Sequence, residues 1–290
     1  MPDVKEKQVA LARMAGIDGF CYWHYWFNGK RLLDTPINQV YDTGAPDFPF
    51  CFCWANHSWY AKTWNKDTPD KLLIEQTYPD DDDLIQHFNY NLKFFKDNRY
   101  IKIENKPLFG IYSPQSIPNR KHYIELWNKL AIEQGFAGIH FFAMSQKKSN
   151  IDELKSDGFQ TEVLDLTFLR KSTMRYTYWL MHKLFGWPQI IDYTDYYRTV
   201  LKYFPFKKDV MPVVIPNFDH TPRSGNRGSL MIHSTPENWH ILFRDVYTKL
   251  ENVADENKMI FVKSWNEWGE GNYLEPDLKY GRAWLEAMHI

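Results

Sequence analysis

The chain has 290 residues, with 35 Lys or Arg against 36 Asp or Glu, for a net charge of −1. Its hydrophobic share of 44% suits a soluble globular protein, and the even spread of charge shows no basic face of the kind that nucleic acid or an anionic membrane requires. Three cysteines, Cys21, Cys51 and Cys53, lie in apolar runs and read as small buried thiols, without the spacing of a zinc site or a disulfide framework. No apolar run approaches the ~20 residues of a membrane helix, and Met1 to Gln8 holds no signal core. A soluble protein of a reducing, cytoplasmic compartment is expected.

From the N-terminus, Val4, Gln8, Leu11, Ala12 and Ala15 predict a helix stopped by Gly16. Strands are expected at Gly19–Tyr25 and Phe48–Trp54. A helix follows from about Asp83 to Asp97, with Leu84, Phe88, Leu92 and Phe95 on one face. Pro107–Tyr112 reads as a strand, the stripe Tyr123, Leu126, Trp127, Leu130 as a helix, and Gly138–Met144 and Gly158–Leu164 as further strands. The aromatic segment from Leu166 to Lys208 reads as a helical insertion. Val210–Pro216 is a strand, and Thr235-Pro236-Glu237 opens a helix striped by Trp239, Leu242, Phe243, Val246 and Leu250. Met259–Ser264 is the last strand.

Alternating strands and helices predict βα units around a parallel sheet. Seven strands are one short of a (β/α)8 TIM-type barrel, so the expectation is a single barrel domain over 1–290 whose first strand would lie before Met1. An open doubly wound sheet uses the same elements.

Sites in parallel α/β folds gather at the carboxyl ends of strands. There the sequence offers Tyr22, His24, Tyr25 and Trp26, then Trp54, Asn56, His57 and Trp59, then Tyr112, then Asn217 and Asp219. The last strand delivers Trp265, Asn266, Glu267, Trp268 and Glu270. Indole and phenol faces pack on the C–H faces of sugar rings while amides and carboxylates take the hydroxyls, so these residues are candidate substrate contacts. Glu267 and Glu270 are the candidate catalytic pair. They share one turn between Gly269 and Gly271, and two close carboxylates tend to divide into an acid and a base, as glycosidic cleavage demands.

Blander readings compete. The two acids could be solvated loop residues beside core Trp. Trp54, Trp59 and Trp64 suit a core as well as a sugar platform. His24, His57, Asp219 and His220 could suggest a metal, but the sequence fixes no ligand geometry, and none is expected. Asp80–Asp83 resembles a cation loop but serves equally as cap and first turn of a helix. Glu75, in an apolar run, reads as a buried acid with a partner. The run Arg223-Ser-Gly-Asn-Arg-Gly reads as a flexible loop, and the third strand end, Phe109-Gly-Ile-Tyr-Ser, carries no carboxylate.

The segments Gly16-Ile-Asp-Gly-Phe-Cys-Tyr-Trp-His-Tyr-Trp-Phe, Phe50-Cys-Phe-Cys-Trp-Ala-Asn-His-Ser-Trp, Leu73-Ile-Glu-Gln-Thr-Tyr, Lys106-Pro-Leu-Phe-Gly-Ile-Tyr and Trp265-Asn-Glu-Trp-Gly-Glu-Gly carry a resemblance over nearly the whole chain. The sequence resembles the WbsX-type family of glycosyltransferases, also described as glycoside-hydrolase-family-99-like. Family 99 enzymes are endo-acting α-mannosidases on a (β/α)8 barrel with a Glu-x-x-Glu segment. The resemblance implies that Glu267 withdraws the proton of the sugar 2-hydroxyl, that a 1,2-anhydro intermediate forms, and that Glu270 is the acid and then the base, with overall retention. It implies no metal or organic cofactor, an oligosaccharide or polysaccharide substrate, and a place in cell-surface polysaccharide, lipopolysaccharide or O-antigen metabolism beside other biosynthetic enzymes. A hydrolase, a polysaccharide-building transferase and an inactive glycan-binding barrel all remain open. Gly269 stands where family 99 hydrolases carry a His.

Overall fold

A computed structural model describes residues 2–62, 68–146, 148–169, 174–255 and 258–290, with backbone alone for residues 2 and 174–176. Trp64, one of the ambiguous indoles, lies outside the described residues. All seven expected strands are present: β1 (Phe20–Phe27), β2 (Phe50–Trp54), β3 (Lys106–Ile111), β4 (His140–Gln146), β5 (Thr161–Asp165), β6 (Val210–Val214) and β7 (Phe261–Val262). Short hairpin strands and helices fill the intervals, and the class is mixed α/β. The chain forms two compact units: Met1–Ala10, Ile17–Ser145 and Asn150–Glu162 make the first, and Leu11–Gly16, Gln146–Ser149 and Val163–Ile290 the second.

In the first unit β1, β2, β3 and β4 pair in parallel in that order. The register sets Cys21 beside Cys51, Trp23 beside Cys53, Cys53 beside Gly110 and Gly110 beside Phe142. Side chains alternate across a strand, so Cys21, Trp23, Cys51 and Cys53 share one face, while Tyr22, His24, Phe50, Phe52 and Trp54 share the other. The second face is covered by the helices Asp81–Phe95 and Arg120–Glu133. There Phe52 meets Phe94 at 5.1 Å, Phe109 meets Trp127 at 4.9 Å, and Trp54 stacks on Tyr123 at 5.8 Å. Each such large side chain, fully buried, contributes about 1.5–3 kcal/mol.

The helix Asp81–Phe95 begins two residues before its expected start because the Asp80 carboxylate accepts from Asp83 N, so the acidic run is cap and first turn. The stripe of Arg120–Glu133 is rotated from expectation, burying Ile124 and Ala131 beside Tyr123 and Trp127. The first helix, Pro2–Met14, likewise buries Val9 and Ala12 and leaves Val4 exposed. Cys51 and Cys53 are buried, but Cys21 is exposed, which corrects the expectation of three buried thiols. Glu75 is exposed as well. Its apolar run is one arm of a hairpin, Trp59–Ala61 with Lys71–Ile74, whose Leu72 and Leu73 are also exposed.

In the second unit β5 neighbours β6, and β6 pairs in parallel with β7. Helix Pro236–Glu251 starts at its expected cap, where Thr235 accepts from Asn238 N, and buries all five expected stripe residues. The expected helical insertion contains a strand too. Helix Met174–Phe185 is followed by strand Gln189–Asp192, paired in parallel with Ser229–Ile232, and then by helix Tyr193–Tyr203. That last helix is anchored to the end of β6: Tyr193 donates to Ile215 O at 3.0 Å, and Tyr196 accepts from Ile215 N at 3.1 Å.

Candidate active site

In the second unit the carboxyl ends of β6 and β7 carry most of the acidic and amide candidates. Beyond β6, the Asn217 side chain clamps the facing loop: its amide nitrogen donates to Tyr273 O at 3.0 Å and its oxygen accepts from Tyr273 N at 2.9 Å. Asn272, wholly buried, donates to Asn217 O and Lys263 O at 2.6 and 2.9 Å. Beyond β7, the Lys263–Ser264 peptide is cis, and Ser264 Oγ donates to Asn272 O and accepts from Glu267 N. These bonds hold a two-residue hairpin ladder, Asn266 opposite Tyr273 and Glu267 opposite Asn272, around a turn at Trp268–Glu270.

Gly271 closes that turn in the left-handed region, at φ 52°. A Cβ there would also stand 3.0 Å from the Asp219 backbone. Asp219 N in turn donates to Glu270 O at 2.8 Å, and the Asp219 carboxylate accepts from Thr221 N and Oγ1. Asp219 thus braces the carboxylate turn from behind.

The two acids meet different neighbours. Glu270 Oε1 lies 4.0 Å from His220 Nε2. The other ring nitrogen, His220 Nδ1, lies 2.7 Å from Ser224 Oγ, which itself donates to His220 O. His220 thus turns its Nε2 edge toward Glu270. Glu267 turns toward Gly269: a Cβ at 269 would lie 3.1 Å from Glu267 Oε1 and 3.8 Å from Arg223 Nη1. Arg223 belongs to a helical turn, Thr221–Ser224, so the expected flexible loop is an ordered edge of this site.

Glu275 fixes both indoles of the loop. Its two oxygens accept from Trp265 Nε1 at 3.0 Å and Trp268 Nε1 at 2.8 Å. Trp268, 49% exposed, stacks on Tyr273 with centroids 3.9 Å apart and planes 14° apart. Tyr273 donates to Asp277, and burial together with that carboxylate pushes its hydroxyl up to about 12. Burial alone would raise the Asp277 carboxyl, but hydrogen bonds from Tyr280 N, Trp284, Tyr273 and Lys279 N outweigh it and hold the pKa below the ordinary value. The result is an exposed aromatic plate beside two half-exposed acids, Glu267 and Glu270.

The first unit treats its candidates differently. His24, Trp26 and Trp54 are 0%, 4% and 1% exposed, which removes them from any surface. The reason is alternation: they share the strand face that the helices cover. His24 Nε2 lies 2.7 Å from His87 Nε2, and the His87 ring is stacked between His24 and Trp26 at 4.9 and 4.8 Å. Trp26 Nε1 donates to Asp83, and Trp54 Nε1 to Trp26 O. Burial first, then the nearby Arg31 charge, pushes both imidazoles well below their ordinary pKa.

Asn56 is buried and spent on its neighbours, donating to Ser113 O and the Tyr78 hydroxyl and accepting from Ser113 N at 2.7 Å. Tyr22 packs edge-on against Phe50, its hydroxyl pushed up to about 12 mainly by burial. The aromatics left near the surface are Tyr25 against Trp59 at 5.1 Å, and Tyr112 between His57 at 5.6 Å and Trp23 at 5.4 Å. Trp23, 38% exposed, stands in the strand-end run Tyr22–Trp26 of the sequence but not among its candidate contacts, although period-two alternation puts it on the same face as Tyr25. Arg223 and Glu275 were missed as parts of the carboxylate site, and His220, a strand-end residue of the sequence, was weighed only as a metal ligand. Among the described residues, no three or more His, Cys, Asp or Glu gather where they could hold a metal ion. No helix among them is long and apolar enough to cross a membrane.

Two acids beside an indole plate, at the strand ends of an α/β fold, suit the carbohydrate-active class. The chain belongs to the glycosyltransferase WbsX family, whose pattern it matches over residues 1–288. It is 30% identical over 290 residues to WxcX, described as uncharacterised, from two strains of Xanthomonas campestris pv. campestris. The match takes in 99% of this chain and 41% of WxcX, so the chain spans about two fifths of the curated relatives' length. Among solved structures, a glycoside hydrolase-like protein is similar with a TM-score of 0.68 at 14% identity, over 99% of this chain and 85% of that one. The GH99 endo-alpha-mannosidase from Bacteroides thetaiotaomicron is similar with a TM-score of 0.55 at 14% identity, over 95% and 70%. At such identity the likeness is one of fold.

Proposed function

We propose that this chain is the glycosyl-transfer module of a retaining, α-mannosidase-like enzyme on a (β/α)-barrel framework, with Glu267 and Glu270 as its reacting acids. The observation that carries the reading is the turn Trp268–Glu270. It sets Glu267 against the Gly269–Arg223 edge and Glu270 against His220, beside a Trp268–Tyr273 plate. Different surroundings suit different proton duties.

In the proposed reaction the Glu267 carboxylate takes the proton of the sugar 2-hydroxyl while that oxygen attacks the anomeric carbon. The glycosidic C–O bond breaks, and Glu270, as the carboxylic acid, protonates the departing oxygen. The 1,2-anhydro sugar is then opened at the anomeric carbon by water or another hydroxyl, whose proton returns to Glu270, while O2 recovers its proton from Glu267. Two inversions at one carbon give net retention. The aromatic plate supports the ring by C–H contacts. The acids and bases of this scheme all belong to the chain.

The proposed setting is cytoplasmic polysaccharide or O-antigen metabolism, alongside other enzymes of that chemistry. The test is product analysis of the intact protein with α-mannoside oligosaccharides and, separately, with nucleotide sugars plus a glycan acceptor. Shortened α-mannosides or transglycosylation products with the α-anomer retained are expected. Turnover of nucleotide sugars alone would put the alternative, a nucleotide-sugar transferase, in its place.

A further inference from the structure

The helix Met174–Phe185 is unlike the other long helices of its unit. Pro236–Glu251 buries six residues and Tyr193–Tyr203 buries four. Of residues 177–187 none is buried, and five large apolar ones, Trp179, Leu180, Leu184, Phe185 and Trp187, are 38–64% exposed. At 100° per residue Trp179, Lys183, Leu180 and Leu184 lie side by side on an arc of about 140°. Lys183 Nζ sits over the Trp179 ring, 4.8 Å from its centroid. A mixed face of this kind is costly in water unless something covers it.

The local charge says what. Between Asp165 and Asp192 the sequence runs 26 residues without an acid and carries Arg170, Lys171, Arg175 and Lys183. The neighbouring loop adds an exposed Arg227, and a Cβ at Gly186 would lie 3.3 Å from Asn226 of that loop. A chain of net charge −1 thus carries an acid-free, cation-bearing stretch of sequence around two exposed indoles, Trp179 and Trp187, with Lys183 and Arg227 exposed among the described residues, a feature that whole-chain composition averages away. Trp and Leu with flanking cations are the chemistry of an interfacial helix, whose apolar residues enter the acyl boundary while Lys reaches the headgroups. A second copy of the same face would bring like charges together.

We propose that residues 177–187 form a docking surface for an anionic lipid bilayer, on which the helix lies flat. The helix leads into strand Gln189–Asp192 and, through its partner Ser229–Ile232, to the backbone bonds His220 N to Ser229 O and Met231 N to Phe218 O. The docking surface is therefore joined by two strands to the segment that braces Glu270. Lipid binding itself is independent of the glycosyl chemistry proposed above and is read without substrate.

The test is co-sedimentation of the intact protein with vesicles of phosphatidylcholine alone and of phosphatidylcholine containing a quarter phosphatidylglycerol. Binding to the anionic vesicles is expected, at least about tenfold tighter than to neutral ones and weakened as salt rises. Lys183→Glu is expected to weaken it about tenfold or more, and Leu184→Ser with Phe185→Ser about tenfold. All three positions are exposed, and if the double variant fails to fold, Lys183→Glu and the salt dependence still decide. The proposal is overturned by absence of binding, by equal binding to neutral vesicles, or by no response to Lys183→Glu. Self-association lost in these variants, without lipid binding, would overturn it by assigning the face to a second copy.

Discussion

Two sets of Trp-rich strand ends meet opposite fates in this molecule. At β1 and β2 the indoles of Trp26 and Trp54 are sealed beneath helices, with their N–H groups donated to Asp83 and to Trp26 O. Beyond β7 the indoles of Trp265 and Trp268 remain partly exposed, both fastened by the single carboxylate of Glu275. The two sites even share a device, since Asn56 and Asn217 each clamp a neighbouring backbone segment in the same two-point fashion. What separates them is cover. The helices Asp81–Phe95 and Arg120–Glu133 close one face, whereas a turn shaped by Gly271 keeps the other loop open. Residue type at a strand end is thus a weaker guide to function than which face the strand turns outward.

Substitutions break this comparison in order of size. Glu267→Gln is expected to lower turnover about 10²–10⁴-fold, the usual share of a positioned acid or base, with the thermal midpoint nearly unchanged. Activity assays beside melting curves check it, and a large fall in midpoint with turnover preserved would make Glu267 structural. Trp54→Ala is expected to do the reverse, costing about 3–5 kcal/mol of stability as a cavity opens beneath Tyr123. Denaturant titration reads that cost, and a near-neutral result would return Trp54 to the surface set.

The buried imidazoles sharpen the contrast through pH. In the folded chain His24 and His87 are held neutral, well below the ordinary 6.5. In the unfolded chain they take up protons as the pH falls through that value. Stability should therefore be insensitive to this pair above pH 6.5 and fall on acidification below it. The slope is about 1.4 kcal/mol per group per pH unit. Urea midpoints at about pH 7.5 and about pH 5.5 measure it, and the slope should shrink when both are replaced, as in His24→Phe with His87→Leu. Smallest is Glu275→Gln, which leaves one indole N–H without its acceptor. A loss of about 1–2 kcal/mol is expected, with a shift in Trp fluorescence.

Much of this fold was legible in the sequence because period and punctuation are local properties. Thr235-Pro236-Glu237 caps its helix as expected, and Gly16, at φ 72°, follows the first helix at its expected stop. The acid pair was legible for the same reason, since Glu267, Gly269, Glu270 and Gly271 fall within one turn. What stayed hidden depends on contacts distant in sequence. His24 reads as a strand-end ligand until His87, 63 positions away, is found against it. Arg223 reads as loop until Gly269 is found beside it, and nothing local marks Glu275 until two indoles are found to share it. Trp23 was within reach, because alternation along β1 alone separates it from His24.

The most direct test of the central claim is the dependence of Glu270→Gln on leaving group. If Glu270 protonates the departing oxygen, the variant should lose turnover about 10²–10⁴-fold on an α-mannoside with an alkyl or sugar leaving group. It should lose far less on one with a nitrophenolate leaving group, which needs no proton. Equal losses on both substrates, or no loss on either, would contradict the role given to Glu270 and with it the paired-acid account.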